Sequence, residues 1–186
     1  MIRRELADSV YIIEGFMTPE ECGEVIGETE DIGYEAAPIQ TIDGMRILSD
    51  VRNNTRVILD DFERANFLWE RVKAEVPTFH GGRQAIAVNE RFRFYRYAPG
   101  EHFARHQDAP FRRDNGEVSQ FTFMVYLNED FVGGETIFND VGVRPKTGMA
   151  LIFKHDLPHE GSAVKQGIKY VLRSDIMYDR IGKIRG

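Results

Sequence analysis

Three residues with metal-binding side chains, His106, Asp108 and His159, are the first candidates for chemistry in this sequence. His106 and Asp108 are two residues apart, and on a β-strand that spacing places both side chains on one face. His159 lies far enough along the chain for intervening strands to bring it back beside the pair. Two imidazoles and one carboxylate on one side of a metal leave coordination positions open, which is typical of non-haem Fe(II) centres.

Spacing alone leaves other interpretations open. A His-x-Asp pair also occurs at strand ends on ordinary surfaces, with no metal. His102 and His106 are four residues apart, as are His155 and His159, and this is also the spacing of zinc ligands on a helix. Pro158 lies inside the second pair, where it would cost a helix roughly 3 kcal/mol. The remaining histidines are interpreted as surface residues or as residues that orient the ligands: His80, His102 and His155.

The composition is that of an ordinary globular protein, with 186 residues, 42% of them apolar and 29% charged. The 24 basic and 30 acidic residues give a net charge of −6, which argues against a nucleic-acid partner. Cys22 is the single cysteine, so no intrachain disulfide can form and a reducing compartment is expected. The sequence has no secretory signal and no apolar run near the ~20 residues of a membrane span. We therefore predict a cytoplasmic protein with no membrane partner.

Two helices are predicted before residue 85. The stretch Thr18–Glu21 combines an N-cap, a proline at the first helical position and a capping box, which predicts a helix from Pro19 to about Asp31. Apolar residues at helical spacing predict a second helix from Phe62 to about Val76. The residues between Tyr34 and Asp50 are predicted to be irregular.

Short strands dominate the rest of the predicted structure. We expect strands over 9–14, 57–59, 89–97, 103–108, 121–128, 135–138, 149–153 and 169–178. Helices followed by many short strands predict a mainly β fold with flanking helices, a double-stranded β-helix (jelly roll) backed by N-terminal helices. We expect a single domain over 1–186. Its helix-rich support would cover about 1–84 and its catalytic core about 85–178.

Longer stretches around the candidate ligands resemble the prolyl 4-hydroxylase family of 2-oxoglutarate-dependent Fe(II) dioxygenases. The likeness covers about residues 9–178 and is carried by these motifs: Arg96–Asp108 (RYAPGEHFARHQD), Val125–Asn128 (VYLN), Gly133–Thr136 (GGET), Arg144–Lys146 with Gly148, and His159–Gly161 with Lys169. The resemblance implies that His106, Asp108 and His159 hold Fe(II). It also implies 2-oxoglutarate and O2 as co-substrates, with ascorbate as a reductant.

The resemblance assigns Lys169 to the distal carboxylate of 2-oxoglutarate, and a buried dianion does need such a cation. It further implies that the Tyr126 hydroxyl meets this carboxylate and that Tyr97 lines the pocket, although both tyrosines could simply pack in the core. If Lys169 points inward, strand alternation turns Arg173 and Asp175 inward too. We therefore expect Arg173 to share the carboxylate and Asp175 to point towards the iron or the substrate.

Two arginines are candidates for binding the primary substrate. Arg93 would face inward with Tyr97, and Arg52 comes from a preceding loop. A structural salt bridge within the shell explains an inward arginine equally well. Specificity is expected from the segments 34–56 and 111–118.

The predicted activity is hydroxylation of an amino-acid side chain, peptidyl or free, with release of succinate and CO2. Two alternatives stay open, and the first is a nucleic-acid demethylase of the repair-dioxygenase type. Those enzymes carry a second arginine six residues beyond the first on the last strand, where this chain has Asp175 or Asp179. The second alternative is a non-catalytic module that binds a metal or ligand on the same fold.

Overall fold

The computed structural model describes residues 1–37, 39–41, 44–46 and 50–181. Two helices, α1 Pro19–Ile32 and α2 Phe62–Val72, precede most of the strands. The strands, in chain order, are β1 Ile2–Ala7, β2 Val10–Glu14, β3 Glu35–Ala36, β4 Ile39–Thr41, β5 Gly44–Arg46, β6 Thr55–Asp60, β7 Phe79–His80, β8 Arg83–Val88, β9 Arg91–Tyr97, β10 Phe103–His106, β11 Val118–Tyr126, β12 Val132–Gly133, β13 Thr136–Ile137, β14 Gly142–Val143, β15 Ala150–Lys154, β16 His159–Gly161, β17 Val164–Gln166 and β18 Lys169–Arg180.

One large antiparallel sheet forms the centre of the fold. Its strand order is β1-β2-β15-β11-β18-β9-β6-β3, and β8 pairs with both β18 and β7. A smaller sheet has the order β10-β16-β13-β14, and the ladders β12–β17 and β4–β5 are separate. The predicted mainly β jelly roll with flanking helices is confirmed.

The large sheet has apolar side chains on both faces, because each face is covered. On β18, Leu172 and Ile176 belong to the cluster that includes Leu68 and Val72 of α2. Val171, which alternates to the opposite face from Leu172, belongs to a second cluster with residues near the smaller sheet. The central strands therefore lack the polar-outward pattern of a half-exposed sheet.

The capping box fixes the start of α1. The backbone N–H of Glu21 donates to Thr18 Oγ1 over 3.2 Å, and the Thr18 N–H donates back to Glu21 over 2.8 Å. Glu21 also forms an ion pair with Arg71 of α2 at 2.7 Å, so one carboxylate both caps α1 and ties the helices together. The predicted α1 is confirmed to within one residue at its end.

Other predicted boundaries were wrong, for physical reasons. The second helix ends at Val72. Val76 lies in the turn after the helix and is buried there, so its helical spacing from Val72 reflects packing in the core and not a longer helix. β1 was not predicted because half of its residues are polar and most of them are exposed. The segment predicted to be irregular contains β3, β4 and β5.

The first 84 residues contribute strands as well as helices. β1, β2, β3 and β6 all join the large sheet, next to strands from the second part of the chain. The division into a support and a catalytic core stays a prediction.

Within the described ranges, neither helix combines the length and the apolar character that crossing a lipid bilayer would require.

Candidate active site and metal centre

The structure brings the three predicted metal ligands together. β10 and β16 pair antiparallel with His106 opposite His159, and their ring centroids are 4.3 Å apart. Asp108 lies just beyond the end of β10, with carboxylate oxygens 3.7 Å from His106 Nε2 and 3.8 Å from His159 Nε2. The candidate ligand atoms all lie within 4.8 Å of one another. The predicted strand was therefore too long by two residues, but its two ligands still converge with His159.

Backbone carbonyls set the tautomers of both histidines. His106 Nδ1 lies 2.8 Å from the Ala104 carbonyl, and His159 Nδ1 lies 2.9 Å from the Leu157 carbonyl. A carbonyl only accepts, so each Nδ1 carries the hydrogen and each Nε2 lone pair faces Asp108. Burial and the neighbouring His159 ring lower the pKa of His106 to about 4, and burial also lowers the pKa of His159. Both rings are thus neutral at pH 7, as metal binding requires.

Asp108 is held as a carboxylate. Burial alone would favour its neutral form, but Arg173 Nη2 lies 3.1 Å from Oδ1 and keeps the pKa of Asp108 well below its usual range. The backbone N–H of Asp108 donates to the His155 carbonyl over 3.0 Å, which fixes the residue after its strand has ended. Two neutral imidazoles and an ionised carboxylate are the donor set that suits Fe(II) with open positions, so these residues fit that ion.

A one-way chain of hydrogen bonds ends on Asp108. Thr122 Oγ1 donates to Asp108 Oδ2 over 2.5 Å, so it must accept from His155 Nδ1, 3.0 Å away. His155 Nε2 then accepts from Ser119 Oγ over 2.8 Å, and Ser119 accepts from the Phe111 N–H. The three side chains between these ends are all buried. The structure thus places His155 among the residues that orient a ligand, one of the roles left open for it.

Replacing Thr122 by valine keeps the side-chain shape and removes the donor to Asp108. We expect Fe(II) affinity to fall by about 10- to 100-fold, the usual cost of losing a group that orients a ligand. Anaerobic Fe(II) titration against a competing chelator measures this. Thr29→Val is the matched control, because Thr29 is equally buried but bonds only within and beside α1. Unchanged Fe(II) affinity in Thr122→Val would contradict the orienting role.

Lys169 lies in the same cavity as the triad. Its ammonium donates to the Gly134 carbonyl over 2.6 Å and lies 5.2 Å from the Tyr97 ring and 5.4 Å from the Tyr126 ring. Burial lowers the pKa of Lys169 to about 8. The cavity is lined by Tyr95, Tyr97, Phe103, His106, Asp108, Thr122, Met124, Thr136, Phe153, His159, Gly161, Lys169, Val171 and Arg173. Lys169 therefore offers a cation to an anion that enters this cavity.

Gly134 makes room for that ammonium group. Its φ of +69° is in the left-handed region, and an added Cβ would lie 3.1 Å from Lys169 Cδ. A larger residue would crowd the lysine stem, so the second glycine of the Gly133–Gly134 turn shapes the pocket as well as the backbone.

The two predicted tyrosines differ in their positions. Tyr97 lines the cavity, as the resemblance implied. Tyr126 is fully buried, and its hydroxyl donates to Thr136 Oγ1 over 2.7 Å, while Thr136 itself lines the cavity. The predicted contact of Tyr126 with a co-substrate carboxylate would require this hydroxyl to leave Thr136 or to share it.

Arg173 occupies a different place from the one predicted. It follows Lys169 by four residues on the same strand, which separates the two Cα atoms by roughly 13 Å. Arg173 contacts Asp108 and also Asp175, whose Oδ1 is 3.2 Å away. Strand alternation gave the correct face, but Arg173 lies at the metal end of the cavity and not beside Lys169. Asp175 is buried and joins this ion-pair group instead of pointing freely into the site.

Arg93 and Arg52 lie beside the cavity. Arg93 Nη1 is 3.7 Å from Asp175, which is the salt bridge that the sequence left open as an alternative. The Arg52 guanidinium carbon lies 4.5 Å from the Tyr95 ring centroid and 4.6 Å from that of Phe103. Neither arginine lines the cavity directly, but Arg52 covers two rings that do.

Several residues of the site were missed by sequence reasoning, chiefly Thr122, Ser119, Thr136 and Phe103. Thr122 carried a usable signal, since it is a polar residue in the otherwise apolar run FTFMVY and alternates onto the same face as Met124. Phe103 stacks on the His106 ring with centroids 3.6 Å apart, a contact with no sequence signature.

The two segments predicted to give specificity are only partly described. Part of 34–56 lies outside the described residues. The segment 111–118 is closed by ion pairs of Arg113 with Glu117 and Glu90. Its role in specificity stays a prediction.

Comparison with known proteins gives a consistent family likeness. A sequence model of the 2OG-Fe(II) oxygenase superfamily matches residues 92–174. Prolyl 4-hydroxylase 1 of Arabidopsis thaliana is 24% identical over 163 residues, covering 77% of this chain and 56% of that protein. This chain thus spans little more than half the length of that curated relative.

Solved structures share the fold. A viral collagen prolyl hydroxylase from Paramecium Bursaria Chlorella virus-1, with 2OG bound, superposes with a TM-score of 0.62 at 21% identity, covering 93% of this chain and 99% of that one. A Trichoplax adhaerens prolyl hydroxylase, in complex with a hypoxia inducible factor peptide fragment, gives a TM-score of 0.68 at 17% identity, covering 91% and 84%. These matches confirm the predicted resemblance to the prolyl 4-hydroxylase family.

Proposed function

We propose that this chain, which resembles the prolyl 4-hydroxylases, is a 2-oxoglutarate- and Fe(II)-dependent dioxygenase that hydroxylates an amino-acid side chain. One oxygen atom of O2 would enter the substrate C–H bond as hydroxyl, and the other would enter succinate as 2-oxoglutarate loses CO2. The observation that carries the proposal is the ligand triad, which gathers its donor atoms within 4.8 Å in the same cavity as the buried Lys169. A metal-binding triad alone would fit many proteins, whereas the added buried cation fits an anionic co-substrate.

The residues of the chain have separate tasks in this reaction. Bound Fe(II) with 2-oxoglutarate supplies the oxidising chemistry, and the protein supplies position and surroundings. His106, His159 and Asp108 would hold the ion from one side, with Nε2 lone pairs and a carboxylate already turned towards it. Lys169 would bind the distal carboxylate of 2-oxoglutarate, because it is the lysine that lines the cavity.

The wall of the cavity is largely apolar. Aromatic side chains form much of the lining, including Tyr95, Tyr97, Phe103 and Phe153. Exclusion of water strengthens the electrostatic attraction between Lys169 and a carboxylate, and it protects reactive intermediates from side reactions.

A peptide is the first candidate for the primary substrate, with a free amino acid as the second. Support comes from the relatives, which are named prolyl hydroxylases, and from the Trichoplax adhaerens structure with its bound peptide fragment. We also propose a cytoplasmic location and ascorbate as the reductant that keeps the iron active, both from the sequence resemblance and composition.

The test is conversion of 2-oxoglutarate to succinate by the purified protein loaded with Fe(II) under anaerobic conditions and then exposed to O2. In cell extract, a mass-spectrometric search should find a product heavier by one oxygen atom with the native protein and not with His106→Ala. A visible charge-transfer band on adding Fe(II) and 2-oxoglutarate, without succinate under any condition, would instead indicate a non-catalytic binding module.

A further inference from the structure

An arginine cluster, consisting of Arg52, Arg56 and Arg93, lies beside the candidate active site. On paired strands β6 and β9, Arg56 is opposite Tyr95 and Ile58 is opposite Arg93. Opposite residues of an antiparallel pair share a face, so Arg56 and Arg93 lie on the side of the sheet that carries Tyr95 into the cavity. Arg52 approaches the same ring from the chain segment before β6.

Few carboxylates pair with the cluster: Glu35 lies opposite Arg56 on β3 and shares its face, but among the described residues the two form no ion pair. Arg93 lies 3.7 Å from Asp175, but Asp175 is also the partner of Arg173. Among the described residues, no ion pair involves Arg52 or Arg56. Burial lowers the pKa of Arg56, and the nearby Arg52 charge lowers it further. Arg52 is buried, Arg56 and Arg93 are half-buried, and this positive region occurs in a chain of net charge −6.

Two guanidinium groups of the cluster have hydrogen-bond donors that are not used. Arg52 is only 5% exposed, and its Nη2 has no acceptor within the described part of the chain. Its Nε does donate to Asn54 Oδ1 over 2.6 Å, which explains its position but leaves Nη2 unsatisfied. Arg93 Nη1 is also buried without a hydrogen bond, although it lies 3.7 Å from the Asp175 carboxylate. Buried charged donors are rarely left unpaired, so Arg52 Nη2 indicates a missing acceptor.

The unused donors lie close to the metal ligands. Arg52 covers Phe103 with its guanidinium carbon 4.6 Å from the ring centroid, and Phe103 stacks on His106 at 3.6 Å. The Arg52 guanidinium is therefore one aromatic ring away from a proposed iron ligand. Lys169 is the separate cation that the proposed function assigns to 2-oxoglutarate, so the arginine cluster is available for a different anion.

We infer that the primary substrate carries a carboxylate near the carbon that is hydroxylated, and that Arg52, Arg56 and Arg93 bind this carboxylate. The inference rests on the proposed function. A planar guanidinium presents parallel N–H donors that match the two oxygens of a carboxylate, which a lysine would not do. An acidic side chain in a peptide and the α-carboxylate of a free amino acid supply the same chemistry. A polyanion such as a nucleic acid is disfavoured, because Asp60 lies on the same sheet face and the whole chain is acidic.

The experiment has two arms that separate these sources. In the first, immobilised protein with Fe(II) and 2-oxoglutarate, kept anaerobic, retains peptides from a random library blocked at both ends, and the retained pool is sequenced. In the second, single amino acids and their carboxamides are compared by thermal shift on the same preparation. We expect a preference for the carboxylate of about 10-fold or more in one arm, since it gains charge-assisted hydrogen bonds. High salt should reduce the contribution of Arg56 to carboxylate binding, because this arginine is partly exposed to solvent.

Matched variants connect the preference to the cluster. Arg56→Gln and Arg52→Gln should each lose most of the carboxylate preference. Arg52→Lys should keep only part of it, because lysine retains the charge but lacks the parallel N–H donors of the guanidinium. Arg96→Gln is the control: Arg96 lies on β9 but on the opposite face, where it pairs with Glu30 at 3.1 Å. Thermal unfolding checks that each variant folds, and Arg56, which has no ion pair among the described residues, is the replacement least able to disturb the fold.

The outcomes separate this inference from the proposed function. A wild-type protein that forms succinate but shows no carboxylate preference in either arm would overturn the inference and leave the proposed enzyme standing. The same preference in wild type and in both glutamine variants would also overturn it. A carboxylate preference that depends on Arg52 and Arg56, without any succinate, would support the site and contradict the proposed activity.

Discussion

Replacing Lys169 by alanine is expected to abolish measurable 2-oxoglutarate binding while Fe(II) binding stays intact. The ammonium is buried, and removing one member of a buried, hydrogen-bonded charge pair typically costs about 2–5 kcal/mol, or roughly 30- to 5,000-fold in affinity. Anaerobic titration of the Fe(II) protein with 2-oxoglutarate measures the loss. Lys165→Ala is the control, because Lys165 is exposed on the nearby β17. Tight 2-oxoglutarate binding by Lys169→Ala would remove this residue from the co-substrate site.

The pKa of Lys169 gives the same contact a pH dependence. Burial places this pKa at about 8, so the ammonium form that attracts an anion is present below pH 8 and is lost as the pH rises through it. Affinity of the wild type for 2-oxoglutarate should therefore fall above pH 8, by about tenfold for each further pH unit. Lys169→Arg should lack this fall wherever it binds 2-oxoglutarate, since arginine stays charged. A flat pH profile in the wild type would argue that another cation holds the carboxylate.

The second large effect is expected from His159→Ala. It removes one of three proposed ligands, so Fe(II) affinity should fall by more than the roughly 100-fold upper range for orienting groups, and succinate formation should drop below detection. Anaerobic Fe(II) titration and a succinate assay measure the two effects. His102→Ala is the matched control, because His102 lies near the site in sequence but its Nε2 faces the Asp50 carbonyl, 3.3 Å away, and not the triad.

Retention of native Fe(II) affinity by His159→Ala would exclude the triad as the metal centre. Loss of affinity in both His159→Ala and His102→Ala would indicate general unfolding, which thermal denaturation would detect. Loss in His159→Ala alone is the result expected from the geometry.

The metal ligands and Lys169 could be predicted because their signals are nearly local. His106 and Asp108 are two residues apart, and His159 lies in a short motif that resembles the prolyl 4-hydroxylase family. Lys169 followed from its place in the family motif. The structure changed only the details, such as the end of β10 before Asp108.

The position of Arg173 could not be predicted in the same way. Alternation along β18 correctly gives the face of the sheet, but it does not say which group lies at each height along the strand. That depends on the register with other strands, which brings Asp108 beside Arg173. Only the three-dimensional structure shows that Arg173 forms an ion pair with Asp108, a proposed metal ligand.

The hydrogen-bond chain through Thr122 and His155 was beyond sequence reasoning for a similar reason. Its members come from β11 and from the turn after β15, and each bond depends on distances of a few tenths of an ångström. An isolated threonine in an apolar strand indicates a buried polar role. It does not indicate the partner.

The shared sheet has a consequence for any attempt to shorten this protein. The segment 92–174, which matches the superfamily model, contains every residue named above as lining the cavity. It lacks β2 and β6, which pair with the outer edges of β15 and β9. Expressed alone, this segment would have two unpaired strand edges. It would also expose the apolar sheet face that α1 and α2 cover, so we expect it to aggregate. The segment that matches the family and the segment able to fold alone therefore have different boundaries: the first residues of the chain belong to the same sheet as the strands beside the cavity.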